Sequence, residues 1–234
     1  MNRYSVITEK NPREIVLLKG YKCAYGKCAF CNYILDNTDD EEEMEKINFE
    51  VLENITGETG VLEIINSGSV FELSKNTLKK IREICDTKNI KIIYFEAYFG
   101  YLKRLNEIRE LFKNQEVRFI IGIETFDNYY RTQILKKNFI LNDTVLKQLK
   151  TEYQTVLLMI CTQGQTKEQI LYDIEQARKN FKETVISIFI NNGTEIKRDE
   201  KLVRWFLKEI FPALNKEKNI EILVDNKDFG VYVQ

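Results

Sequence analysis

Seven short apolar runs, rich in β-branched residues, alternate with amphipathic Lys/Glu-rich segments, and this alternation constrains the fold more than any other feature. The runs cover 14–20, 61–67, 90–97, 117–125, 155–162, 184–191 and 220–225. Each is nearly continuous in its hydrophobicity, as a parallel strand must be when helices cover both of its faces. The intervening segments, 38–56, 74–88, 101–114, 141–154, 166–181 and 199–215, carry a helical period. Asn37-Thr38 before the acidic run 39–43 reads as a helix start, because carboxylates there complement the helix dipole. Thr166, with Gln169 three residues on, resembles a capping box. Strand–helix repetition without a linker or low-complexity stretch predicts one α/β domain over 1–234, built from about six βα units. The pattern admits an open doubly wound sheet or a barrel, complete or partial; both place ligands at the C-terminal ends of the strands.

Composition narrows the chemistry. The chain has no histidine, which removes Ser-His-Asp and Cys-His pairs, His-ligated zinc and imidazole proton shuttling. Lys and Arg number 35 against 36 Asp and Glu, so no basic excess is available for a stable nucleic-acid complex. No run of about eighteen apolar residues could span a membrane. The opening MNRYSVITEK lacks the apolar core of a secretion signal, and a cytoplasmic protein with its cysteines as thiols is expected.

Three of the five cysteines, Cys23, Cys28 and Cys31, fall in the segment CAYGKCAFC directly after the first strand. They belong to a loop at 20–36, at the sheet edge where α/β enzymes keep their chemistry, and Gly26 lets that loop curl. Thiolates this close repel unless a cation neutralises them, so a metal centre is expected. Zinc would want a fourth Cys or His at a recognisable spacing. A [2Fe–2S] electron carrier would use the same C-x4-C-x2-C spacing with Cys85 as a distant fourth ligand. A [4Fe–4S] cluster on three thiolates leaves one iron open, and spacing and placement favour that reading. Cys85 and Cys161 lie in apolar segments and read as core.

The segment C-x4-C-A-Phe30-C resembles the C-x3-C-x-aromatic-C loop of the radical S-adenosylmethionine (SAM) enzymes, with one residue more in the first gap. Asn66-Ser67-Gly68-Ser69-Val70-Phe71 after the second strand is similar to the SAM-binding turn of that family's elongator/archaeosine-type branch. Phe95-Glu96-Ala97 after the third, Gly122-Ile123-Glu124-Thr125 ending the fourth, and Lys136-Lys137-Asn138-Phe139 beyond it continue the resemblance in order. It implies a partial (β/α)6 TIM-like barrel holding a [4Fe–4S] cluster on Cys23, Cys28 and Cys31, with SAM against Phe30, Asn66, Ser67, Gly68, Ser69, Glu96 and Glu124. For Glu124 the structural alternative is a salt bridge to Arg131, and for Ser67–Ser69 plain turn chemistry. The resemblance also implies a reducing partner such as ferredoxin or flavodoxin, and a small nucleotide substrate. Among stand-alone members that substrate is a 7-deazaguanine 5′-nucleotide whose glycosidic bond is broken; radical modification of another nucleoside or a tRNA base is the neighbouring possibility. Asn191, Asn192 and Asp225 would suit the base edge, and Lys136, Lys137, Lys197 and Arg198 the phosphate, each equally at home as a solvated loop residue.

Overall fold

The computed structural model describes residues 1–232. Its strands are β1 (Tyr4–Ile7), β2 (Arg13–Leu18), β3 (Val61–Asn66), β4 (Ile92–Glu96), β5 (Glu116–Glu124), β6 (Thr155–Ile160), β7 (Glu183–Ile188) and β8 (Ile220–Leu223). Strands β2 to β8 answer the seven apolar runs; β1 is an addition, a four-residue antiparallel partner of β2 with Tyr4 opposite Val16. It is too short and too exposed to give a hydrophobic pattern, and it is held from outside itself: Tyr4 donates to the buried Glu14 at 2.8 Å. The strands lie in the sheet in their chain order, with no point at which the order reverses. That topology excludes a doubly wound sheet and is that of a partial β/α barrel.

The chain packs as two compact units. The first holds 1–26, 33–120 and the described residues from Phe229, and contains β1 to β4, the start of β5, and helices α1 (Glu41–Leu52), α2 (Lys75–Thr87) and α3 (Leu105–Leu111). Its parallel register sets Val16 beside Ile64, Leu62 beside Ile93 and Phe95 beside Phe119. All six are fully buried; each such side chain stabilises the fold by about 1.5–3 kcal/mol. The start of α1 shifts from the expected Asn37-Thr38 to Asp40, whose carboxylate accepts the Glu43 N–H at 3.0 Å. Thr38 instead accepts the Asp40 N–H, and Asn37 turns to Ser67.

The second unit holds 27–32 and 121–228: the end of β5, β6 to β8, and helices α4 (Asp143–Glu152), α5 (Lys167–Asn180), α6 (Glu200–Trp205) and α7 (Phe211–Leu214). Leu158, Ile186 and Ile222 lie side by side across β6, β7 and β8. Thr166 caps α5 by accepting the Gln169 N–H at 3.2 Å, but the Gln169 side chain reaches Asp127 rather than closing the box. Between α6 and α7 the chain widens into a π-turn, Phe206–Ile210. Pro212 has no N–H for the Lys208 carbonyl, so the expected single helix over 199–215 is interrupted there.

Candidate functional site

The candidate residues follow strand ends in each of the two units. In the first, the loop leaves β2 through Gly20 and carries Cys23, which is partly exposed. Beyond the cysteines its far end returns to this unit as a 3-10 turn, Tyr33–Asp36, anchored by the buried Arg3–Asp36 ion pair. After β3 comes the Ser67–Ser69 turn. Asn66 donates to the Ser69 carbonyl at 2.9 Å, and Ser67 hydrogen-bonds Asn37. Asn66 Oδ1 and Ser69 Oγ are buried without a hydrogen-bond partner. Buried polar atoms of this kind need a partner, which a ligand group or a buried water supplies. Gly68 lies close beside the loop, since a Cβ added there would stand 3.5 Å from the Cys23 Cα. Glu96 ends β4 half-buried.

Glu72, which sequence reasoning missed, lies 4% exposed on the turn after Ser69. It accepts from Ala24 N–H at 3.2 Å, from Tyr101 O–H at 2.9 Å and from Ser69 N–H. Burial pushes its carboxyl above the usual range, against the pull of those donors, and burial with the Glu72 charge pushes Tyr101 up to about 12. The aromatic rings of Tyr25 and Tyr98 stack at 5.9 Å, and those of Phe71 and Tyr101 at 4.6 Å. The one signal available in the sequence was a lone carboxylate in the apolar stretch Val70-Phe71-Glu72-Leu73.

In the second unit, Cys28 and Cys31 are also partly exposed and close a tight turn, with Cys31 N–H on the Cys28 carbonyl at 3.2 Å. Ala29 N–H donates to the Leu135 carbonyl at 2.9 Å, and Ala29 and Phe30 pack against Tyr130, Leu135, Met159 and Phe189. Asn192, expected at a substrate base, donates to the Phe30 carbonyl at 2.8 Å and to Asn32 at 3.2 Å, bracketing Cys31. Glu124 ends β5 with φ +70° and 4% exposure. Its partner is Lys137, at 2.6 Å, and not Arg131. Gly122 makes room for the pair, since a Cβ there would stand 2.5 Å from Glu124 Oε1 and 3.0 Å from Lys137 Nζ. The Lys137 ammonium also sits 5.8 Å from the Phe30 ring centre. Arg131, fully buried, donates to the carbonyls of Thr125 and Phe139 and stacks on the Phe139 ring.

The other substrate candidates make local contacts, most of them around 191–198. Lys136 pairs with Glu195, Lys197 donates to the Thr194 carbonyl at 2.7 Å, and Arg198 pairs with Glu200 at 3.3 Å. Asn191 accepts the Arg198 N–H at 2.9 Å, and Asp225 the Lys227 N–H at 3.0 Å. Cys85 and Cys161 are fully buried, and burial pushes both thiols up to about 12.

Among the described residues no three Cys, Asp or Glu side chains are already drawn together as a metal cage. The chemistry of the donor set nevertheless fits an iron–sulfur cluster: three partly exposed thiols within nine residues of sequence, soft ligands whose mutual repulsion a cation would offset. The orphaned acceptors of Asn66 and Ser69, beside the Cys23 segment, fit the ammonium end of SAM.

No protein-family model matches the chain, and no curated protein sequence matches it. A solved structure described as queuine lyase from Clostridium spiroforme bound to SAM and queuine does match, with 45% sequence identity, all of both chains covered and a TM-score of 0.95.

Proposed function

The chain belongs to the queuine lyase family of radical SAM enzymes, and on that premise we propose that it releases queuine from queuosine 5′-phosphate by breaking the N-glycosidic bond. The observation that carries this reading is the full-length likeness, at 45% identity, to a queuine lyase that binds SAM and queuine. The lack of a basic excess agrees with a diffusible nucleotide rather than an RNA as substrate.

Cys23, Cys28 and Cys31 are the thiolates that would hold the [4Fe–4S] cluster. When bound, the reduced cluster and SAM would supply the radical chemistry for hydrogen abstraction from the substrate. The protein's part is placement and dryness. Asn66 Oδ1 and Ser69 Oγ offer acceptors to the SAM ammonium. Glu124, held by Lys137, offers its remaining oxygen to a ribose hydroxyl, and the ion pair fixes the side chain in place. Phe30 and Asn192 keep the Cys28–Cys31 turn rigid. Lys136, in an exposed ion pair, and Lys197, on a backbone carbonyl, are the cations that a phosphate could draw away, with the half-buried Arg198 near the same loop. A ferredoxin or flavodoxin supplies the electron, and the cytoplasm, with its reducing poise, is the setting; no described helix is long and apolar enough to cross a membrane.

The test is anaerobic reconstitution with iron and sulfide, then incubation with SAM, a reductant and queuosine 5′-phosphate. Free queuine should form together with 5′-deoxyadenosine, and the nucleoside without phosphate should react distinctly less well. Base release only from tRNA, or a cluster whose paramagnetic resonance spectrum ignores SAM, would refute the reading.

A further inference from the structure

Glu72 belongs to none of the motifs above, yet it holds both sides of Cys23. Its backbone carbonyl accepts the Tyr21 N–H at 2.8 Å, and its carboxylate accepts the Ala24 N–H at 3.2 Å. The other carboxylate oxygen accepts the Ser69 N–H, so one side chain ties the cysteine segment to the turn with the orphaned acceptors. Two glycines allow the approach. A Cβ on Gly20 would stand 3.1 Å from the Glu72 carbonyl oxygen, and one on Gly68 would stand 3.0 Å from the Glu72 carboxylate.

Among the described residues Glu72 has no ion pair, and its charge is met by the amides of Ala24 and Ser69, its own amide and the Tyr101 hydroxyl. Burying a carboxylate against neutral donors alone is costly. Capping the short turn, where Glu72 closes a box onto the Ser69 N–H, does not require the charge, since a Gln there would reach the same N–H. What only a carboxylate does here is accept on two oxygens at once, from segments 45 residues apart in the chain (Ala24 and Ser69).

We propose that Glu72 is a positioning residue that sets the Cys23 thiolate and the Ser67–Ser69 turn in one register, so that the open iron and the amino-acid end of SAM meet. The proposal rests on the SAM-binding reading above.

Glu72→Gln is the test, because an amide keeps the shape but has one acceptor oxygen and must release either Ala24 or Ser69. The reconstituted holoenzymes are compared for iron per chain, for the spectrum of the reduced cluster without SAM, and for SAM affinity by equilibrium dialysis. Iron and the SAM-free spectrum should be retained, while SAM affinity falls about tenfold, as expected for losing one charge-assisted hydrogen bond. Tyr101→Phe, which removes one donor and leaves both tethers, should weaken SAM binding by about threefold, and it decides the matter if the Gln variant does not fold. SAM affinity equal to wild type in the loaded variants overturns the proposal. So does loss of iron with normal affinity in the fraction that remains loaded, since that is a purely structural role. A wild-type cluster that does not respond to SAM overturns the parent reading instead, and the two failures are thereby told apart.

Discussion

Replacing Lys137 by Met removes the cation from a pair in which Glu124 is 4% exposed and the N–O distance is 2.6 Å. At that distance and an effective dielectric of about 20, the attraction is about 6 kcal/mol. Desolvation of the two ions offsets much of it, so the pair's net worth is small, but leaving the carboxylate alone costs about 3–5 kcal/mol. A carboxyl has an escape, which is to take a proton. For an ordinary glutamic acid that costs about 4 kcal/mol at pH 7 and about 2 kcal/mol at pH 6, which sets a ceiling on the penalty. Lys137→Met should therefore destabilise the protein by about 3–4 kcal/mol at pH 7 and by about 2 kcal/mol or less at pH 6. Adding Glu124→Gln should recover most of the loss while SAM binding stays impaired. Anaerobic urea unfolding of the four proteins of this double-mutant cycle, at both pH values, gives the energies. A Lys137→Met penalty below about 1 kcal/mol at pH 7, or one independent of pH, would show that Glu124 finds other compensation and would refute the argument.

Cys85→Ala with Cys161→Ala should leave iron content unchanged while lowering the melting temperature, because both sulfurs are fully buried and contribute only packing; loss of iron would favour the ferredoxin-type cluster. Gly122→Ala should cost about 1–3 kcal/mol and weaken SAM binding, since the new Cβ would lie 2.5 Å from the Glu124 oxygen; calorimetry and SAM titration read both effects. Asp173, fully buried on α5, holds the Phe126 N–H at 2.7 Å just past Glu124, and burial raises its carboxyl to about 6. A raised acid binds its proton more tightly in the folded state, so its stability contribution is full below about pH 4 and is lost as pH rises through about 6. Asp173→Asn should then match wild type near pH 4 and exceed it by about 2–3 kcal/mol at pH 7.5 in urea unfolding; a variant less stable than wild type at pH 7.5 would show that the Arg131 charge outweighs burial.

Much of this was legible in the chain itself. Continuous apolar runs report burial on both faces, and β2, whose six residues are all buried, shows why period and composition found β2 to β8. The cysteine spacing, the Ser67–Ser69 turn and Glu124 at a strand end could be read because they are local, and because parallel sheets keep their chemistry at one edge. Tertiary structure alone decided the partners. Lys137, 13 residues from Glu124, displaced Arg131 as its counter-ion because Arg131 is consumed by the carbonyls of Thr125 and Phe139. Asn192, 162 residues from Phe30, donates to that residue's carbonyl in the cysteine loop. Glu72 became the tether between Ala24 and Ser69, and β1 exists only because β2 offers it an edge. Hydrophobic periodicity records which face of an element is buried, a property each segment carries by itself. The partner of a buried polar group is fixed by whichever distant segment packing brings within hydrogen-bond reach, and no local pattern encodes that.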